Sequence, residues 1–165
     1  MPATTKVPLG TSTTNRKYYL DVNTTPSGAA TWVGVFGITD FKNAHDPTLQ
    51  DDSDFDSAGW KSQTKTAEAW GVEIKLRRAP TAADATAYDP GQEWLRTHAI
   101  GQMGIANSVY VRYYEMEPGG PRVEAYAGRA SVQWSPDGGV MDALSTVSVT
   151  LTGQGALTTI THPGS

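Results

Sequence analysis

The segment TAEAWGVEIKLRR, residues 66–78, constrains the fold of this chain more than any other. Large apolar side chains occupy every second position, and charged side chains stand between them. Because side chains alternate between the two faces of a β-strand, the pattern predicts a strand with one face in a core and the other in water. The apolar positions are Trp70, Val72, Ile74 and Leu76, and the charged ones are Glu73, Lys75 and Arg77. Such a strand must bury its sheet face against a second layer.

The rest of the chain predicts further strands joined by short turns. Its 165 residues are enough for one domain, and 17 Gly, 10 Pro and 18% charged residues favour strands and turns over a helical bundle. The connections EPGGP and SPDGG are turn-like, as between antiparallel neighbours. The strand candidates are residues 16–22, 31–38, 108–116, 122–134 and 143–152, with a last short one in GALTTI.

One helix is predicted within residues 88–103, YDPGQEWLRTHAIGQM. Pro90 stands near its start and Gly101 near its end, and Trp94 and His98 lie one turn apart on the same side. The predicted fold is therefore mainly β: an antiparallel β-sandwich or open barrel with one packed α-helix, in a single domain.

Two segments fit no strand or helix period. Residues 39–64 predict a long loop between the early strands, since 26 residues far exceed the usual connection of about four to six. A loop of that length is usually functional or disordered. Residues 1–15 are rich in Thr, Pro and Ser and predict a flexible, extended N-terminal arm, which leaves residues 16–165 as the domain.

Charge and cysteine content exclude several classes of function. The formal net charge of −4 argues against binding nucleic acid through a basic surface. The chain has no cysteine, so it forms no disulfide and no thiolate site. We find no signal-like apolar segment at the start and no run of about 18 apolar residues, so we expect cytoplasmic synthesis and no membrane partner.

An acidic run, DDSDFDSAGWK, stands inside the predicted loop. The run contains Asp51, Asp52, Asp54 and Asp56, the aromatic residues Phe55 and Trp60, and Lys61. An EF-hand loop beginning at Asp52 would need Gly at its sixth position and Glu at its twelfth, but Ser57 and Gln63 stand there. We therefore interpret the run as a solvated acidic loop with no metal or cofactor, while a looser divalent site that includes His45 remains an alternative.

The two aromatic residues predict that this loop is covered by another surface. Phe55 and Trp60 are unfavourable in water, and Trp is enriched at contacts between proteins. If the covering surface belongs to a second copy, the acids can meet basic side chains across the contact. The candidates for those bases are Lys61, Lys65, Arg77 and Arg78.

We find no catalytic motif, so the chain is predicted not to be an enzyme. The three histidines, His45, His98 and His162, form no HxH or HExxH pattern, and there is no GxSxG elbow. The Gly-rich pieces lack the Lys of a phosphate-binding loop. A stacking platform built from Tyr110, Arg112, Tyr113 and Tyr114 is an alternative to ordinary strand residues, but the negative charge disfavours it.

Three sequence pieces resemble the major tail proteins, or tail tube proteins, of bacteriophages with long, non-contractile tails, especially phages of actinobacteria. RKYYLDVNT is similar to the first strand of that family, and DDSDFDSAGWKSQTKTAEAW resembles its acidic loop with the following strand. VSVTLTGQGALTTITHP resembles its closing strands.

The resemblance implies a structural virion protein that forms stacked hexameric rings, assembled in the host cytoplasm into a hollow tube. It also implies the tape measure, tail terminator and tail-tip proteins as partners, and transient passage of double-stranded DNA. On this reading residues 51–61 form a self-assembly loop that contacts a neighbouring subunit. Glu68 and Glu73 are candidates to face the lumen, on the expectation that both lie opposite the Trp70 face of their strand.

Two other functions remain open from the sequence. One is a carbohydrate- or protein-binding β-sandwich, in which Trp60 and Tyr113 line a site and the acidic cluster holds calcium. The other is a hydrolase of unfamiliar arrangement, which no residue favours.

Overall fold

A computed structural model of the chain describes residues 7–116 and 121–164. Within these ranges it contains eight strands and a single α-helix. The strands are β1 (Tyr18–Asn23), β2 (Trp32–Gly34), β3 (Ile38–Asp51), β4 (Gln63–Arg77), β5 (Ser108–Glu115), β6 (Ala125–Pro136), β7 (Thr146–Gly153) and β8 (Thr158–Thr159); helix α1 spans Pro90–Ala99, and a 3-10 turn spans Gly104–Asn107.

All strands belong to one antiparallel sheet in the order β2-β1-β5-β6-β7-β4-β3, with β8 added to β6. The mainly β prediction with one helix is confirmed. The two end strands, β2 and β3, do not pair with each other among the described residues, so the sheet is not closed into a barrel. It curls instead, because the Phe41 ring of β3 stacks on Tyr18 of β1 at 4.8 Å between ring centroids.

The alternation in β4 positions the core as the sequence predicts. Val72, Ile74 and Leu76 are each at most 3% exposed. They pack with the inward residues of the neighbouring strands and with Leu95 of helix α1. Each such side chain contributes about 1.5–3 kcal/mol of burial free energy, so this face supplies much of the stability of the domain.

Trp70 is the outermost core residue of β4 and fills a space left by glycines. Its Nε1 donates to the Gly155 carbonyl at 2.9 Å. A Cβ atom on Gly128 would lie 2.5 Å from the indole Cζ2, and one on Gly153 would overlap the indole at its Nε1 edge. Only glycine at these two positions allows the indole to lie flat against β6 and β7.

Helix α1 is attached to the sheet by hydrogen bonds at its N-terminus. The Asp89 carboxylate caps it by accepting from the Gln92 backbone N–H, and Pro90 takes the first turn, as predicted. The buried Gln92 amide donates to the carbonyls of Phe36 and Arg77. These bonds fix the start of the helix against the ends of β2 and β4.

The predicted loop over residues 39–64 is wrong for most of its length. Residues 38–51 form strand β3, and β4 already begins at Gln63, so the irregular part is confined to residues 52–62. The strand signal was missing because this part of β3 buries only Phe41 fully, and a strand exposed on both faces needs no period-2 pattern.

The N-terminal arm stays a prediction. Residues 1–6 lie outside the described residues, while residues 7–14 are exposed and carry no helix or strand. Most of the predicted EPGGP turn also lies outside the described residues. No helix in the described ranges is long and apolar enough to cross a membrane.

We expect Gly153→Ala to destabilise the domain by about 1–3 kcal/mol, because the new methyl group overlaps the Trp70 indole and the core must repack. Urea unfolding followed by tryptophan fluorescence measures the change. Gly10→Ala is the matched control, since a Cβ atom there meets nothing within 4 Å. Equal midpoints for Gly153→Ala and the wild type would contradict the packing role of Gly153.

Candidate functional site

Strands β3 and β4 form a hairpin that extends beyond the body of the domain. Their register runs from Ile38 opposite Leu76 to Asp51 opposite Gln63, with an irregularity at Thr48. Every residue of this hairpin from 45 to 69 is exposed except Ser57, which is half-buried in the tip. We call residues 45–69 the projecting hairpin, and residues 52–62 its tip.

The base of the tip is held by carboxylates bonded to neighbouring hydroxyl and amide groups. Asp51 accepts from the Ser53 backbone N–H at 2.9 Å, and Asp52 accepts from the Thr64 hydroxyl. The Ser62 backbone N–H donates to the Ser53 hydroxyl at 2.7 Å, which closes the loop across its neck. Two of the four acids of the run therefore stabilise the chain's own turn.

The end of the tip is a second, tighter turn. Asp54 accepts from the Ser57 hydroxyl at 2.8 Å and from the Asp56 backbone N–H at 3.1 Å. Ala58 has a φ of 51° and Gly59 a φ of 82°, so both adopt the left-handed conformation that reverses the chain. The turn ends where the Trp60 backbone N–H donates to the Ser57 carbonyl at 2.9 Å.

Hydrogen bonds within the hairpin lower the pKa of two of these carboxyl groups. The pKa of Asp51 lies below its usual value because Ser53 donates to the carboxylate, and the pKa of Asp52 is lowered by the hydroxyls of Thr64 and Ser62. The charged form of each carboxylate is thus favoured by donors within the hairpin. In the part of the chain that the structure describes, no three His, Cys, Asp or Glu side chains converge as metal ligands.

Apolar side chains on the projecting hairpin face solvent. Phe55 is fully exposed, Trp60 is 82% exposed, and Leu49 on β3 is half exposed. Large aromatic groups on a polar projection are typical of surfaces that contact another protein. That this tip is covered in an assembly remains a prediction.

The basic residues expected to meet the acids differ in accessibility. Lys65 forms an ion pair with Glu68 at 2.6 Å on the same hairpin. Arg78 is half-buried, pairs with Glu93 and stacks on the Tyr88 ring. Arg78 therefore attaches helix α1 to β4 and is wrong as a candidate for contact with a second copy.

The two candidate lumen carboxylates lie on opposite faces of β4. Glu68 has the same parity as Trp70, and both line one cavity with Tyr126. Glu73 lies on the outward face, 3.7 Å from the Lys42 ammonium. The expectation that both lie opposite Trp70 is wrong for Glu68, because Glu68 and Trp70 are two positions apart and so share a face of the strand. The pKa of Glu68 is lowered by the hydrogen bond from Lys65.

The other sequence candidates do not come together. Each histidine has a separate local role: His45 lies 3.6 Å from Glu68, His98 contacts the Trp94 carbonyl, and His162 contacts the Glu115 carbonyl.

The tyrosine candidates are divided between two faces of the sheet. Tyr113 is 1% exposed in the core, whereas Tyr110 and Tyr114 point to the opposite face with Arg112. A stacking platform that includes Tyr113, or a binding site that it shares with Trp60, is therefore wrong.

The sequence did not show which strands form the unpaired edges of the sheet. Among the described strands, β3 pairs only with β4, which leaves one edge of its 14 residues open. At the other end, β2 covers only three residues of β1. A period-2 signal in β3 would have revealed the long edge, but its exposed residues give none.

Comparison with known proteins places this fold among components of phage-like particles. A chain from the virion of a native gene transfer agent particle has a TM-score of 0.61 and 9% identity, over 91% of this chain and 100% of that one. A chain from the tail of an empty gene transfer agent particle, refined helically with C6 symmetry, has a TM-score of 0.61 and 11% identity over the same shares. A chain from the six-fold symmetrised baseplate of the anti-feeding prophage has a TM-score of 0.59 and 5% identity, over 96% and 99%.

No protein-family model and no curated protein sequence matches the chain. At identities of 5–11%, the structural likeness shows a shared fold. The proteins that share it are components of virion, tail and baseplate assemblies.

We expect Thr64→Val to raise the pKa of Asp52 toward its ordinary value, because the hydroxyl donor is lost. In the wild type, this depressed pKa favours the ordered tip above the ordinary carboxyl pKa of about 3.9, and the gain disappears as the pH falls through the folded-state pKa. Carboxyl-carbon NMR titration measures the shift. Thr66→Val is the control, since the Thr66 hydroxyl bonds the Thr48 carbonyl and not Asp52; an unchanged Asp52 titration in Thr64→Val would contradict the assignment.

Proposed function

We propose that this chain is a tail tube subunit of a phage or phage-like particle, which self-assembles into stacked hexameric rings around a hollow channel for the genome. The projecting hairpin carries the proposal, since it exposes Phe55 and Trp60 on a protomer whose sheet is open at both ends. The fold shared with chains from tail and baseplate assemblies of sixfold symmetry supports it.

Open sheet edges explain why such a protomer would associate. A long unpaired edge such as that of β3 leaves backbone N–H and C=O groups available to another strand. A closed ring of identical subunits satisfies these edges without unlimited aggregation. The geometry favours strand pairing of β3 with the neighbouring protomer around the ring.

The projecting hairpin is the element that reaches past its own domain. Its exposed apolar residues become buried when the tip contacts a subunit of the same or the next ring, which supplies association free energy. On this proposal residues 51–61 act as the self-assembly loop. Lys61 is exposed on the tip and is the base available for an ion pair across that contact.

The outward face of β4, β7 and β6 is the candidate lumen surface. Glu73 lies on this face, beside hydroxyl groups of the adjacent strands. Two ion pairs lie on it, Lys42 with Glu73 at 3.7 Å and Lys75 with Asp137 at 3.6 Å, while Arg77 of β4 makes none among the described residues. The uncharged polar residues are Ser131, Gln133 and Ser135 of β6 and Thr146, Ser148, Thr150 and Thr152 of β7. Glu73 and Asp137 offset these two lysines, which weakens the attraction of this part of the face for phosphates, so we expect double-stranded DNA to pass along it.

The kind of tail and the partner proteins that we propose follow from the sequence resemblance. It gives a long, non-contractile tail of a phage of actinobacteria, with tape measure, tail terminator and tail-tip proteins as partners and assembly in the host cytoplasm. The structural neighbours include an anti-feeding prophage baseplate and a contractile injection system, so the fold is common to several kinds of tail. The role is structural and needs no catalytic residue.

We expect the purified chain to form rings or tubes on concentration, and Phe55→Ser with Trp60→Ser to reduce tube formation strongly. Both side chains are exposed, so their loss removes contact area without disturbing the core. Negative-stain electron microscopy measures the outcome. Val123→Ser with Val140→Ser is the control, because these side chains are similarly exposed outside the hairpin. A wild type that stays monomeric at every concentration would overturn the proposed function.

A further inference from the structure

A cavity of about 300 Å³ opens between helix α1, the Gly104–Asn107 turn and strands β5 and β6. We call it the helix-side cavity. Its lining includes Trp94, His98, Ile105, Ser108, Tyr110 and Arg129. None of them belongs to the projecting hairpin.

Arg129 gives this cavity an uncompensated positive charge. Its Nε and Nη2 donate to the Ser108 hydroxyl at 2.9 and 2.7 Å, and its guanidinium lies 5.9 Å from the Tyr110 ring centroid. The other half-buried arginines of the described residues are Arg78, Arg96 and Arg112, and each forms an ion pair with a carboxylate. Arg129 has no such carboxylate within residues 7–116 and 121–164. A half-buried guanidinium without a counter-charge favours an incoming carboxylate.

Trp94 also lines this cavity, and its indole nitrogen lacks a hydrogen-bond partner. The Trp94 Nε1 is buried and has no hydrogen-bond acceptor among the described residues. The His98 ring lies over the indole with 4.3 Å between centroids. Buried N–H groups are nearly always paired in folded proteins, so this orphan donor is the second sign that an acceptor is missing.

An exposed apolar side chain lies at the cavity. Ile105, which lines it, is 78% exposed. An occupant that matches the cavity combines an acidic group for Arg129 with a large apolar group for Ile105. Adjacent acidic and aromatic residues in one segment have this chemistry.

We propose that the helix-side cavity receives the hairpin tip of a second copy of this chain, with Asp56 bound to Arg129 and Phe55 packed against Ile105. The inference rests on the proposed function and identifies the acceptor of the self-assembly loop. Among the described residues, Asp56 is the acid of the run whose carboxylate makes no hydrogen bond or ion pair, whereas Asp51, Asp52 and Asp54 accept hydrogen bonds within the projecting hairpin. Phe55, its neighbour, is fully exposed.

This contact makes the assembly directional. The tip and the cavity are different surfaces, so each copy offers one donor surface and one acceptor surface. Contacts of this heterologous kind join subunits head to tail, which yields rings or stacks and not an isolated dimer.

The test is an exchange of charges between the two surfaces. We expect Arg129→Glu, and separately Asp56→Lys, to raise the concentration needed for assembly at least about tenfold, because each leaves like charges facing across the contact. We expect Arg129→Glu combined with Asp56→Lys to restore assembly toward the wild-type concentration. Light scattering and sedimentation velocity measure the threshold.

Matched controls separate this contact from net charge and from folding. Asp142→Lys changes the net charge as Asp56→Lys does, but in another exposed loop, so it should leave assembly unchanged and should not rescue Arg129→Glu. Arg129→Gln retains a donor for the Ser108 hydroxyl and is the second variant if Arg129→Glu lowers the melting temperature. We expect Arg129→Gln to raise the concentration needed for assembly. The increase should be larger at low salt, because salt screens the lost ion pair less there.

The failures of the two proposals can be told apart. Assembly of both Arg129 variants at the wild-type concentration, with loss of assembly in Phe55→Ser with Trp60→Ser, would overturn the acceptor and retain the tail tube function. Loss of assembly in Arg129→Glu without rescue by Asp56→Lys would also overturn the pairing. A wild type that never assembles would overturn both.

Discussion

The packing of Trp70 against two glycines determines where the body of this protein ends and the projecting hairpin begins. The indole lies over Gly128 and Gly153, and its Nε1 binds the Gly155 carbonyl. Toward the C-terminus of β4 from Trp70, every second side chain is buried; toward the N-terminus, none is. The C-terminal part of β4 therefore packs in the core, and its N-terminal part forms one strand of the exposed hairpin.

The sequence predicted those parts of the fold that bury a regular face. Strand β4 and helix α1 were found because Val72, Ile74 and Leu95 recur at the spacing that a core requires. Strand β3 was not predicted, because almost none of its residues is buried. Its backbone hydrogen bonds to β4 do not require any pattern of side chains. Sequence spacing likewise could not show that Arg129 and Trp94 share a cavity, since strand β6 and helix α1 meet only in the folded chain.

The aspartates of the acidic run help to shape their own loop. Four aspartates in six residues resemble a cation site, but Asp51, Asp52 and Asp54 accept hydrogen bonds from Ser, Thr and backbone groups of the same loop. Asp and Ser are frequent in turns for this reason. The sequence correctly placed an exposed acidic segment with two aromatic residues, and the structure shows that its acids have more than one role.

The internally bonded tip has a consequence for the rate and cost of association. A segment that becomes ordered only on binding loses conformational entropy at that moment and gives up part of its contact free energy. Here the Ser53–Ser62 bond across the neck and the Asp54–Ser57 bond at the end hold the loop in shape before any contact forms. On the proposed function, the free subunit therefore carries its contact surface preformed, and growth of the assembly requires collision and alignment of subunits without prior folding of the tip.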